Sequence, residues 1–202
     1  MLINFIMIVG YKMKNYYEEN SKKYIIDTFD SDMSHLYYFF EKHLKKAKIK
    51  ILDIGFGSGR DSLYFQNKRY EVSSLEPVKE FCEYGKTIGL KNILNIKVEE
   101  MEFSDEFDAI WACASLLHIP SKNIVEVFNK CYKALKNNGL MYCSFKYGTF
   151  EGVRDGRYFL DLNEERLNEI IKLTGFKILE LEITNDVNGR NKINWLNVIL
   201  KK

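Results

Sequence analysis

The chain has 202 residues, 46% hydrophobic and 29% charged, and its 30 basic and 28 acidic side chains leave a net charge of +2. That length holds one sizeable core rather than two full domains, and the composition excludes intrinsic disorder. So balanced a charge gives no sign of the concentrated basic face that a duplex nucleic acid calls for.

Residues 1–12 open with the apolar run Met1–Val9. It is too short to span a bilayer and lacks the basic region and cleavage site of a signal peptide. These residues are expected to be a tail, or a start assigned upstream of the true one near Met13, and no membrane partner is expected. Residues 13–47 are expected to form an N-terminal helical lid. Within it, Leu36, Phe39, Phe40, His43 and Leu44 fall at helical spacing and predict a helix over Ser34–Ala47.

From residue 48 to 202 strands and helices alternate. Ile49–Ile54 reads as a buried strand and a helix over 60–68 follows its glycines. Tyr70–Leu75 is a second strand, and Pro77 opens the next helix. Asn92–Val98 and Phe107–Ala112 are strands three and four, Pro120–Leu135 is a helix, and Leu140–Phe145 is strand five. Lys146–Leu162 reads as irregular, before a helix over 163–174. Phe176–Ile183 and Asn194–Leu200, separated by a turn rich in Asn, Asp and Gly, read as a closing hairpin. The expected fold is α/β: a Rossmann-like seven-stranded, mostly parallel sheet with an antiparallel C-terminal hairpin and helices on both faces. The cysteines Cys82, Cys113, Cys131 and Cys143 form no CxxC pair and sit among apolar residues, so no metal and a cytoplasmic location are expected.

The loop Gly55-Phe56-Gly57-Ser58-Gly59 leaves a strand and opens a helix, where open α/β sheets place ligands. Its glycines allow positive φ and close approach of a ligand, and the helix start offers free N–H groups to an anion. A dinucleotide fingerprint wants a third glycine where Arg60 stands, and no Walker lysine follows. Glu76 ends the second strand, 21 residues after Gly55, where a carboxylate can accept from both hydroxyls of a ribose. Loop and acid together point to a nucleoside.

The run Ile51-Leu52-Asp53-Ile54-Gly55-Phe56-Gly57-Ser58-Gly59-Arg60-Asp61 resembles motif I of the class I S-adenosylmethionine-dependent methyltransferases. Its Gly59-Arg60-Asp61 ending is similar to the tellurite-resistance-type and related small bacterial members. The similarity extends through Trp111–Pro120, Ser144–Gly148, Asp155–Phe159 and Trp195–Val198. It implies S-adenosylmethionine as cofactor, with the backbone of Gly55 and Gly57 at its methionine portion and Gly59, Arg60 and Asp61 completing the loop. It also implies that Asp53 orients the amino group, Glu76 holds the ribose, and Val98, Glu99, Glu100 and Met101 flank the adenine. Ala112 and Cys113 would lie beneath the methionine arm, and Tyr17 or Tyr24 of a lid over Tyr16–Met33 would reach the carboxylate. The sequence departs from the family at Lys97, where many members carry an acid for the adenine.

A sulfonium is already an activated electrophile, so alignment can supply ~7–11 kcal/mol and a base is needed only if the acceptor must lose a proton. His118, after strand four, is either that base or a packing residue beside Pro120. Lys146, Tyr147, Arg154, Arg157 and Tyr158 either form a pocket for an anionic acceptor or belong to a loop pinned by Glu151, Asp155 and Asp161. His118, Tyr158 and Lys146 are thus the candidate catalytic side chains, and Tyr147, Arg154 and Arg157 the candidate substrate contacts. The partner expected is a small-molecule acceptor. An RNA or protein methyltransferase and a non-catalytic cofactor-binding module stay open as alternatives, and the sequence carries no sign of an oligomeric state.

Overall fold

The structure, a computed structural model, describes residues 16–45, 48–190 and 193–202. The expectation for residues 1–12, and the start of the expected lid, lie outside the described residues. Helix α1 covers 16–28 and α2 Ser34–Glu41. Next come β1 (Lys50–Ile54), α3 (Arg60–Asn67), β2 (Glu71–Leu75), α4 (Lys79–Thr87), β3 (Asn92–Leu94) and β4 (Phe107–Ala112). They are followed by α5 (Ser121–Ala134), β5 (Leu135–Lys146), β6 (Glu151–Arg154), β7 (Arg157–Leu160), α6 (Glu164–Ile171), β8 (Lys177–Asn185) and β9 (Asn194–Lys201).

Seven strands form one sheet in the order β3-β2-β1-β4-β5-β9-β8. Strands β1 to β5 are parallel, and β9 pairs antiparallel with both β5 and β8. This is the sheet the strand–helix alternation predicts. Successive side chains on a strand point to opposite faces, and both faces here are apolar. Ile51, Ala109, Trp111 and Tyr142 pack with Phe39 and Phe40 of α2 and Phe65 of α3. Leu52, Ile110, Ala112, Met141 and Cys143 pack on the other side with Phe128 of α5 and Leu167 of α6. Trp111 stacks on Tyr142 at 4.0 Å and meets Phe40 and Phe65 edge-on at 5.2 and 5.3 Å. Such pairs add about 0.5–1.5 kcal/mol each beyond burial.

Three expectations need correction. Helix α2 ends at Glu41 rather than Ala47, because Lys42 and His43 turn outward to Glu180 of β8, each at 2.7 Å. Its aromatic face, Tyr37, Phe39 and Phe40, is buried in the core. Strand β3 stops at Leu94. The stretch expected to be irregular contains the hairpin β6–β7, whose turn residues Asp155 and Gly156 both have positive φ, 52° and 75°. Asp-Gly is the preferred pair for such a two-residue turn, so the signal was present in the sequence.

The chain runs outward from β1 to β2 and β3, then returns to place β4 on the other side of β1. That reversal opens a crevice beyond the strand ends, where an α/β sheet binds ligands.

Candidate active site

Gly55, Gly57 and Gly59 follow β1 with φ of 71°, 52° and 79°. A Cβ at Gly55 would lie 2.6 Å from Cβ of Ser115, and one at Gly57 would lie 3.0 Å from Cε1 of Tyr24. The glycines therefore let α1 and the segment after β4 close against the loop. Glu76, just past β2, is buried, and its two carboxylate oxygens accept from the N–H groups of Gly57 and Val78, each at 3.0 Å. Burial pushes its pKa up to about 7 despite those two bonds. A carboxylate offers about four lone-pair positions, so acceptor capacity is left for a ligand.

Two cavities adjoin here, of about 180 and 130 Å3. The first has Glu76 at one end and apolar walls from Val78, Phe81, Val98 and Ile119, with Lys97, Glu99 and Ser115 at its edge. The Ser115 hydroxyl oxygen is buried without a hydrogen-bond partner among the described residues. The second is polar and charged, lined by Arg60, Asp61, Cys113, Ser144, Lys146 and Arg157, together with Phe159 and the β8–β9 turn. Tyr17, Tyr24, Gly55, Ala114 and His118 line both and mark the junction.

His118 is held from both ring nitrogens. Nδ1 lies 2.6 Å from the Tyr158 carbonyl oxygen, which can only accept, so Nδ1 carries the proton. Nε2 then accepts from the Tyr17 hydroxyl at 2.8 Å. Burial, with the charges of Arg157 and Lys146, pulls the His118 pKa down to about 4. Beneath the loop, Asp61 accepts from Tyr37 at 2.6 Å, Trp111 at 2.9 Å and Arg60 at 2.7 Å. Burial opposes its ionisation, but Arg60 and these donors outweigh burial and hold its pKa below the usual range.

The cleft brings together thirteen of the predicted side chains and glycines: Tyr17, Tyr24, Gly55, Gly57, Arg60, Asp61, Glu76, Val98, Glu99, Cys113, His118, Lys146 and Arg157. Others lie elsewhere. Asp53 is buried behind the loop, accepting from Ser62 at 2.6 Å. Gly59 faces Ile88, Glu100 accepts from the Lys97 N–H, and Met101 and Ala112 belong to the core. Tyr147 donates to Glu164 at 2.9 Å, and Arg154 pairs with Asp161 at 3.1 Å. The Tyr158 hydroxyl donates to Glu151, so only its carbonyl serves the site. The segment after β5 thus divides: Lys146 and Arg157 face the cleft, while ion pairs and hydrogen bonds pin the rest.

Sequence reasoning missed Phe81, Ser115, Ser144 and the β8–β9 turn. The last reaches the cleft because β9 pairs with β5, a long-range contact with no local signal. Asp186 in that turn accepts from Arg190 at 2.6 Å and Trp195 at 2.9 Å, and Asn188 accepts from Ser31, just past α1, at 2.7 Å. The described residues hold no group of three or more His, Cys, Asp or Glu side chains arranged for a metal ion.

Residues 52–143 match the family described as methyltransferase domain. The Bacillus subtilis (strain 168) protein YqeM, which bears the name of a methyltransferase, is 29% identical over 134 residues, 58% of this chain. The match covers 54% of YqeM, so the chain spans about half the length of that relative. Among solved structures, Burkholderia thailandensis 1,6-didemethyltoxoflavin-N1-methyltransferase, with bound 1,6-didemethyltoxoflavin and S-adenosylhomocysteine, superposes with a TM-score of 0.81. It is 16% identical, and the superposition covers 96% of this chain and 88% of that one. A Methanosarcina mazei SAM-dependent methyltransferase gives 0.70 at 19% identity, over 81% and 96% of the two chains. At such identities the likeness speaks for the fold alone.

Proposed function

We propose that this chain, which belongs to the class I S-adenosylmethionine-dependent methyltransferases, moves a methyl group by in-line displacement to a small anionic acceptor. The observation that carries this reading is the pair of adjoining cavities with unlike walls, one ending on Glu76 and the other carrying Lys146 and Arg157.

The residues of the first cavity fit S-adenosylmethionine. Glu76 would accept from the ribose hydroxyls, and Val78, Phe81, Val98 and Ile119 would enclose the adenine. The buried Ser115 hydroxyl, without a partner among the described residues, offers hydrogen bonds in that cavity, and the Tyr24 hydroxyl offers them at the junction. When bound, the cofactor supplies a methyl group already activated by a positive sulfur. The chain's own part is to align and to exclude water, with Tyr17 and Tyr24 of α1 closing the junction.

Lys146 and Arg157 enter no ion pair among the described residues, which supports an acceptor bearing an anionic group. The Burkholderia protein of the same fold binds a small molecule, 1,6-didemethyltoxoflavin, which supports a small acceptor over RNA or protein. No helix among the described residues is long and apolar enough to cross a membrane; a cytoplasmic location is our reading.

The test is labelled-methyl transfer to a metabolite extract, with the product identified by mass. A labelled small molecule is expected. Label confined to added RNA or protein would replace the acceptor class, and failure of the chain to bind S-adenosylhomocysteine would overturn the reading. Glu76→Ala is expected to weaken that binding by about 1–3 kcal/mol, the scale of lost charged hydrogen bonds, as calorimetry would measure.

A further inference from the structure

One phenyl ring organises the acceptor side of the cleft. The Phe159 centroid lies 4.1 Å from Nζ of Lys146, 4.7 Å from the Arg154 guanidinium and 5.2 Å from that of Arg157. The His118 ring stands 5.1 Å away. Among the described residues only Arg154 of the three cations pairs with a carboxylate, Asp161 at 3.1 Å, so the group keeps an excess of positive charge. Nε of Arg157 is buried and has no hydrogen-bond partner among the described residues. Like charges gathered in a partly desolvated place repel, and an anion seated among them offsets that cost.

His118 faces this group from the junction. Tyr17 of α1, Lys146 of β5 and Arg157 of β7 are the titratable and charged groups turned toward it, while the carboxylates Glu76 and Glu99 line the adjoining cofactor cavity, Glu76 acting on Tyr17. Burial and the two cations keep the imidazole neutral and a weak base. Its free lone pair is on Nε2, already aimed at the Tyr17 hydroxyl.

We propose that His118 is a base switched on by the acceptor's own charge: an anionic group seated between Lys146 and Arg157 cancels the field that opposes an imidazolium, and the acceptor's nucleophile then loses its proton through Tyr17 to His118. This rests on the methyltransferase reading and narrows its substrate class. The acceptor carries an anionic handle and, separately, an N–H or O–H nucleophile. Its proton passes to the Tyr17 oxygen as the Tyr17 proton passes to Nε2 of His118. The lone pair left on the nucleophile forms the bond to the methyl carbon while the carbon–sulfur bond breaks and its electron pair stays on sulfur. The positive charge of the sulfonium ends on the imidazolium, whose Nδ1–H still donates to the Tyr158 carbonyl.

The full chain saturated with S-adenosylhomocysteine provides the test, with sodium sulfate as the anion probe because it does not titrate near neutrality. The His118 ring is followed by NMR across pH, its resonance assigned with His118→Gln. The midpoint is expected to rise by about one pH unit or more, a tenfold gain in proton affinity, in sulfate relative to sodium chloride of equal ionic strength. Lys146→Met and Arg157→Met should each abolish most of that rise. Equal midpoints in the two salts would overturn the proposal, as would an undiminished rise in both variants. Failure to bind S-adenosylhomocysteine, seen separately by calorimetry, would remove the reading beneath it.

Discussion

The Tyr158 side chain and the Tyr158 carbonyl serve different ends. Its hydroxyl donates to Glu151, which also takes Arg166 at 3.0 Å and caps the Ser121 N–H at 3.0 Å. Its carbonyl meanwhile fixes the tautomer of His118. Tyr158→Phe is therefore expected to lower stability by about 1–2 kcal/mol while leaving S-adenosylhomocysteine affinity within about twofold, as denaturant unfolding and calorimetry would show. Lys146 and Arg157 are the residues of that segment whose loss should reach the cleft. Composition marked all five side chains as either an acceptor pocket or a pinned loop, because charge and aromaticity are visible in a sequence. Which of them would find a carboxylate first depends on a hairpin register that brings Arg154 opposite Arg157 and Val153 opposite Tyr158. Glu76 was legible for the opposite reason: a strand end fixes where its next residue stands, whatever the rest of the chain does.

Helix α1 meets the glycine loop where Tyr24 lies against Gly57, and its Tyr17, Tyr24 and Ile25 join the apolar cluster around Phe56. Gly57→Ala adds a methyl 3.0 Å from that ring at a φ of 52°, whereas Gly89→Ala adds one at a φ of 88° with nothing within 4 Å. Both should lose about 1–2 kcal/mol to the left-handed backbone. Only Gly57→Ala should also displace α1 and weaken S-adenosylhomocysteine binding, by about tenfold or 1.4 kcal/mol. Calorimetry on the two variants separates backbone strain from the lid contact; equal losses of affinity would deny the lid its part. Element positions in the α/β core followed from spacing: β4 runs over Phe107–Ala112 as its apolar run predicts, and α5 keeps Ile124, Phe128 and Cys131 on one buried face. The contribution of the β8–β9 turn to the cleft did not follow, because it depends on β9 inserting between β5 and β8.

Across the whole molecule, two groups of the cleft, the buried Glu76 and the half-buried His118, oppose each other as pH changes. Glu76 is raised by burial from 4.5 to about 7, so between those values the folded chain holds a proton the unfolded chain has lost, and stability falls as pH rises. His118 is lowered, by burial first, from 6.5 to about 4, so between those values the unfolded chain holds the extra proton and stability rises with pH. Each shift corresponds to about 3 kcal/mol across its window. Carboxylates remote from both groups act in every variant alike and drop out of differences taken against the wild type, whereas Asp53, which the Glu76 charge raises, adds to the Glu76 curve. The stability of Glu76→Gln minus that of wild type should therefore climb by about 3 kcal/mol from pH 4.5 to 7, and that of His118→Gln should drop by a similar amount from pH 4 to 6.5. Denaturant unfolding at closely spaced pH measures both curves. Saturating S-adenosylhomocysteine should flatten the first curve, because hydroxyl donors on Glu76 favour its ionised form, and should leave the slope of the second in place. Curves of the same sign, or a Glu76 curve indifferent to the ligand, would separate the acid from the ribose and return it to a role in holding the loop.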